Sequence, residues 1–287
     1  MTLTVGEISY TNTLPFFYYL SRDWLKENGC LFVPQIPAHL NREMASGRIH
    51  VGPISSFAYA QQQHKYVLFP ELSVSAHGKV GSIFLFSNVP IAELTGKKIA
   101  LTSTSATSVH LIKLLLAAFY KIDVTYTVAA PNYEEMMKEH DACLLIGDEA
   151  IASSWSVDDR IYRYDLGELW EEWTGLPMTY AVFAVRKDAI DEHAELLAEL
   201  YQQFIDSKRK SMEDAYRPMI AAIQKRLGGT VPFWEHYFTH LTYSFGEKEQ
   251  EGLLLYYRLA YEHGFLKEPV ESIQIWSDVS NHHSSFM

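Results

Sequence analysis

Three strand-to-helix junctions in this chain carry small hydroxyl or amide residues: Asn12-Thr13, Ser55-Ser56 and Thr104-Ser105-Ala106-Thr107-Ser108. Gly81-Ser82 offers similar chemistry at the start of a β run. A helix start presents unpaired N–H groups and the positive end of its dipole. Hydroxyls placed there complete an anion site that needs no Lys or Arg. The opening near Ser105 is the best single site, with hydroxyls on both sides and no acid beside it. Ser and Thr cap helices in proteins of every kind, so one junction alone carries little weight. Several together, without a GxGxxG or Walker pattern, point to a carboxylate-binding cleft rather than a nucleotide site.

Other groups carry weaker signals. His236 and His240 stand one helical turn apart, the spacing for metal ligation on a helix face. No Glu follows in the metalloprotease arrangement and no third ligand stands out, so surface exposure or aromatic packing is the better reading. His110 could face a cleft from an apolar helix, but a hydrogen-bonded core imidazole is preferred. Asp148-Glu149 offers either a catalytic carboxylate or a cap for the helix that begins at Ala150. Trp170, Trp173 and the Thr174-Gly175-Leu176-Pro177 turn either line a cleft or brace it. No Ser/His/Asp or Cys/His triad can be argued from spacing.

The elements that must position these residues alternate between β-like and helical runs, a pattern for a mostly parallel sheet. Strands are expected at 3–8, 30–35 and 49–54, with helices opening at Pro15, at 38–46 and at Ser55-Ser56. A β-rich run covers 79–87, and the pattern restarts after it with strands at 98–101, 124–128 and 142–146 and a nearly all-apolar helix over 109–120. Another long β run spans 178–186. Helices follow over 189–204, 212–227 and 247–263, then a docking tail from Lys267, with 280–287 expected to be loose. The two long β runs suggest two crossings between lobes, with residues 1–87 and 182–287 forming one lobe and 88–181 the other. Ligand would sit in the cleft between them. One broad doubly wound sheet would satisfy the same pattern.

Composition narrows the partners. A formal net charge of −11 argues against nucleic acid, whose phosphates would be repelled. Any acidic ligand must therefore find local positive potential, which helix starts supply. Cys30 and Cys143 read as two reduced, buried thiols. The first residues show no export signal and no stretch reaches transmembrane length, so a cytoplasmic protein with no membrane partner is expected.

Several motifs carry a family resemblance. The segments ISYTNTLP at 8–15, PISS at 53–56, TSTSATS at 102–108, LLIGDEA at 144–150 and YDLGELWEEWTGLP at 164–177 resemble those of the menaquinone-pathway chorismate dehydratases. So do 243–253 and 260–264, and the likeness runs over nearly the whole chain. One departure is His50, where an acidic residue is expected ahead of the Pro-x-Ser segment. The resemblance implies an α/β, two-lobed type II periplasmic-binding-protein-like fold, each lobe a mixed sheet flanked by helices, joined by two hinge crossings. It implies removal of water from chorismate to give 3-[(1-carboxyvinyl)oxy]benzoate, with no metal or organic cofactor. Asn12 and Ser82 match positions that contact the reacting portion of the substrate. Ser55, Ser56, Gly81, Ser105, Ala106, Thr107, Ser108, Leu176 and Pro177 are expected to bind it.

Dehydration makes the ring aromatic, so the protein need only fix one conformer, stabilise developing charge and protonate the departing hydroxide. No strong base stands at the matched positions, so the substrate's own side-chain carboxylate is expected to take the proton, with His110 or Asp148 as competing acceptors. A sister enzyme acting on cyclic dehypoxanthine futalosine shares much of the pattern. It usually opens with a cysteine-containing Pro-Asn-Asp motif where this chain has Tyr10-Thr11-Asn12-Thr13. A non-catalytic solute receptor would need an export signal or lipid anchor, and a ligand-sensing regulator would need a DNA-binding segment; neither is seen. Oligomeric state is not legible.

Overall fold

The computed structural model describes residues 2–277, and the expectation of loose chain over 280–287 lies outside them. The first part of the chain supplies β1 (Leu3–Ile8), β2 (Cys30–Gln35), β3 (Val51–Ser55) and β4 (Tyr66–Ala76). The middle supplies β5 (Ile83–Ser87), β6 (Lys98–Thr102), β7 (Thr125–Ala129), β8 (Ala142–Ile146) and β9 (Tyr162–Asp165). The chain then returns through β10 (Met178–Arg186) and β11 (Leu241–Thr242).

These strands form two mixed sheets, one per lobe. The first has the order β11-β4-β10-β3-β1-β2 and the second β7-β6-β8-β5-β9. In the first, β1 runs parallel to β2 and β3, while β10 pairs antiparallel with β3 and β4. In the second, β6 runs parallel to β7 and β8, while β5 pairs antiparallel with β8 and β9. Strands β3, β5 and β8 are buried at every position, as continuous apolar runs inside covered sheets are.

Sheet membership corrects the expected lobe boundaries. Because β5 pairs with β8, residues 83–87 belong to the second lobe, and the first crossing runs through 77–82 rather than past 87. The return crossing comes at 175–177, since Met178 already pairs with Ala76 of the first sheet. A strand that ends one lobe and a strand that begins the next look alike in sequence; only pairing tells them apart.

Most expected elements form. Gly47, in a left-handed conformation, ends the helix Pro37–Ser46. The apolar helix is Thr107–Leu114, continued by a wider π turn over Leu115–Tyr120. The tail docks on the first sheet, where Leu68 receives a bridge from Ile275 and Trp276 is buried.

Three differences have physical reasons. The sequence pattern gave no sign of β4, because Pro70 and Glu71, the latter at φ 57, interrupt its alternation. The helix expected to end near 204 continues as Ile190–Glu213, kinked at His193, and ends before Ala215 and Tyr216, both at positive φ. Its buried face includes Ser207 and Ser211, whose hydroxyls both donate to Pro15 O, so apolar periodicity alone understated it. Val231–His240 is a helix the pattern did not show, its start capped by Thr230.

Candidate active site

Asn12 sits in a single 3-10 turn, Thr11–Thr13, immediately after β1. Thr13 anchors that turn by donating from Oγ1 to Ile8 O and Tyr10 O, at 3.0 and 3.1 Å. Ser55 caps the helix Ser56–Gln61 by accepting the Ala58 N–H at 3.3 Å, and Asn41 holds it from both sides. From the other lobe, Ser105 accepts the Ser108 N–H at 3.1 Å at the start of the helix Thr107–Leu114. These pieces meet. Asn12, Ser55, Ser105 and Ser108 line one cavity between the lobes, together with Tyr10, Gly147 and Tyr180.

Around this cavity the protein leaves hydrogen-bonding capacity unspent. Tyr10 Oη, Asn12 Oδ1 and Tyr180 Oη on its lining, and Ser82 Oγ, Glu149 Oε2 and Tyr237 Oη outside the lining, are buried without a well-formed hydrogen bond within the protein. Buried polar atoms are nearly always paired, so a cluster of exceptions marks a place where something else supplies the partner. Burial pushes the Tyr10 and Tyr237 phenols up and also raises the Glu149 carboxyl. Tyr10 and Tyr237 therefore stay neutral and keep an O–H to donate. Ser82 lies beside Tyr237, and Thr104 and Glu149 lie near the Tyr10 hydroxyl.

Gly147, at φ +62, makes the close packing possible, since a Cβ there would come within 2.9 Å of the Tyr10 ring. Asp165 sets the first crossing. Its Oδ1 accepts the N–H groups of Val80, Gly167 and Glu168, and its Oδ2 accepts that of Gly81 at 2.7 Å. This carboxylate ties the Gly81-Ser82 turn to the helix Leu166–Thr174. The cavity measures about 50 Å³, room for little more than a water or two. The lobes must part for any ring-sized ligand to enter.

Several expected binding residues have other work. Ser56 donates to Thr179 O at 2.7 Å and its hydroxyl meets that of Thr107 at 3.1 Å. Thr107 also takes the Phe57 N–H, and its carbonyl accepts from Tyr256. Ser56 and Thr107 thus clasp the lobes together and have no hydroxyl left for a carboxylate. The Gly81 N–H goes to Asp165, and the Ala106 carbonyl takes the backbone N–H of His110 and hydrogen-bonds its Nδ1, so both act through the backbone as scaffolding. Leu176 lines a different, surface groove with Leu254 and Arg258, and Pro177 O accepts from Trp170 Nε1. That groove is larger, about 570 Å³, yet holds none of the unpartnered hydroxyls.

The titratable candidates separate as well. Asp148 neither caps a helix nor stands free, because it accepts the Thr11 N–H and pairs with Arg226. His110 stacks on Phe57 with ring centroids 3.7 Å apart, as a core imidazole does. The His236 and His240 rings lie 3.8 Å apart, and no group of three metal-ligating side chains occurs among the described residues. His50 accepts the Thr4 N–H through Nδ1 at 3.1 Å and does not line the cavity. The pattern missed Arg226, Asp165, Tyr180 and Tyr237; Asp165 stands at a helix start with Glu168 three residues on, a local capping signal, whereas nothing local distinguishes the other three.

Burial holds His110 below the usual imidazole value of 6.5, and burial with neighbouring His193 does the same to His50. The unfolded chain then binds protons more readily than the fold, so stability is lost as pH falls through 6.5. Urea unfolding at about pH 7.5 and about pH 5.5 should show the lower midpoint in acid. His110→Gln should narrow that gap; an unchanged gap would assign the effect elsewhere.

Comparison with known proteins places the geometry in context. A family model described as menaquinone biosynthesis matches residues 3–262. A chorismate dehydratase of Thermus thermophilus is 30% identical over 87% of this chain and 92% of that protein. A 1,4-dihydroxy-6-naphtoate synthase of the same organism is 26% identical over 70% of this chain and 71% of that protein. Among solved structures, a protein of Archaeoglobus fulgidus superimposes with a TM-score of 0.74 at 20% identity, covering 92% of this chain and 98% of that one. The alkanesulfonate-binding protein of Xanthomonas axonopodis, bound to MOPS, gives a TM-score of 0.69 at 14% identity, covering 96% and 98%. The fold is that of the periplasmic binding proteins, with two mixed sheets.

Proposed function

The chain belongs to the menaquinone biosynthesis family, and we propose that it is a chorismate dehydratase, a carbon–oxygen lyase that closes two lobes around its substrate. The observation that carries this reading is a cavity lined from both lobes, by Asn12, Ser55 and Tyr180 of the first and Ser105, Ser108 and Gly147 of the second, with the buried Tyr10, Asn12 and Tyr180 oxygens on its wall left unpaired. A cytoplasmic location belongs to the same reading; among the described residues no helix is long and apolar enough to cross a membrane.

Chorismate brings two carboxylates into a chain of net charge −11. Ser55, Ser105 and Ser108 supply hydroxyls at helix starts, where the positive dipole end favours an anion. In the reaction a ring C–H bond beside the enolpyruvyl ether breaks and its electrons enter the ring. The neighbouring C–O bond then breaks, and hydroxide leaves as water after taking a proton. Asn12 and Ser82 meet the reacting part of the ring, and Tyr10 and Tyr237 stand near them with O–H groups to donate. Such fixed donors act where charge develops and cost no reorganisation at the moment of reaction.

For the proton acceptor, the engaged positions of Asp148 and His110 favour the substrate's own side-chain carboxylate. Closure removes water from around it and strengthens its basicity relative to bulk solution. The test is direct. Purified protein incubated with chorismate should yield an aromatic product one water lighter, followed by absorbance and mass. Recovery of unchanged chorismate overturns the proposal, and turnover of cyclic dehypoxanthine futalosine instead would reassign the chain to the sister reaction.

A further inference from the structure

Asp148 is where three segments far apart in sequence meet. Its Oδ1 accepts the Thr11 N–H at 3.1 Å, and its Oδ2 lies 2.9 Å from Arg226 Nη1. Arg226 Nη2 donates to Thr11 Oγ1 at 2.9 Å, so the planar guanidinium spans both partners. Asp148 opens the helix Gly147–Ser156 of the second lobe, whereas Thr11 follows β1 of the first. Arg226 ends the helix Arg217–Leu227, which lines a groove with Ile8, Leu14 and Pro34 of the first lobe. The closed ring of contacts thus bears on the residue immediately before Asn12.

We propose that Asp148 and Arg226 are positioning residues that lock the Asn12 turn against the second lobe when the cleft closes. The proposal rests on the assignment of Asn12 to the reacting end of the substrate. The turn is one 3-10 unit without a side-chain cap at Tyr10; Thr13 Oγ1 ties its end back to Ile8 O and Tyr10 O, and Asp148 and Arg226 add the hold on Thr11 between them. The Thr11 N–H reaches across the cleft, so parting the lobes releases it from Asp148. Arg226 stays with Thr11 and orients it for the next closure. Closure and alignment of the Asn12 amide are therefore one event.

Asp148→Asn is close to isosteric and Arg226 is half-exposed, so Asp148→Asn and Arg226→Gln are both expected to fold. Each should lower kcat about tenfold while KM changes by less than about threefold, because misalignment of a reacting group costs rate more than binding. Arg226→Lys, which keeps the charge but cannot fork, should recover only part of the loss. In an Asn12→Ala background the same substitutions should change kcat by less than about twofold, since they act through Asn12. Equal losses in both backgrounds, or a loss confined to KM, would overturn the proposal. Should the wild-type chain prove inert to chorismate, the dehydratase reading fails and small-angle scattering decides the latch. A larger radius of gyration in Asp148→Asn and Arg226→Gln than in wild type sustains it; matching curves sink it.

Discussion

Asn12→Ala is expected to lower kcat for chorismate by about a hundredfold or more, with KM shifted far less, and Ser82→Ala to do the same. Removing one preorganised hydrogen-bonding group from an enclosed site costs about 3 kcal/mol of transition-state stabilisation. Asn12 Oδ1 is buried with no partner in the protein, and the buried Ser82 hydroxyl has only that of Tyr237 beside it. Ser82 is 1% exposed, so its hydroxyl cannot be satisfied by bulk water while the lobes are shut. Asn12 Oδ1 in particular is open to a partner that enters the cleft. Steady-state rates from product absorbance, with binding measured separately by calorimetry, distinguish a loss of rate from a loss of affinity. Turnover near wild type in both variants would remove them from the reaction.

Asp165→Ala is expected to lower stability by about 3 kcal/mol or more, because four backbone donors lose a charged acceptor in a buried site. The two oxygens are used unequally, which separates fold from function. Oδ1 serves Val80, Gly167 and Glu168, whereas Oδ2 serves Gly81 alone. Asp165→Asn can keep the first oxygen and turn its amide toward the Gly81 N–H, where donor would face donor. It should therefore cost less stability than alanine yet release the Gly81-Ser82 turn and reduce turnover about tenfold. Denaturant midpoints and kcat measured on both variants test this. An Asn variant with full activity would show that the turn holds its place without Asp165.

How much of this was legible beforehand varies by residue. Ser55 and Ser105 could be placed at helix starts from local chemistry, because capping depends on neighbours within one turn. The β5 and β10 boundaries could not, since strand propensity is indifferent to which sheet a strand joins. Ser56 and Thr107 look the same in sequence as Ser55 and Ser105, yet their hydroxyls meet each other across 51 residues. Asp148 read equally as base or cap, and its partner Arg226 comes from a helix near the other end of the chain.

The sequence by itself determined the α/β character, the helix starts that favour an anion and the family likeness, which in turn implied the Asn12 and Ser82 candidates. Those properties depend on periodicity and on short-range motifs. Tertiary structure alone decided which hydroxyls face the cleft and which are used up in holding the lobes together. A hydroxyl or carboxylate has few hydrogen bonds to give, and whichever group the fold brings within 3 Å takes them. Spacing along the chain records local geometry, not the arrival of a distant partner.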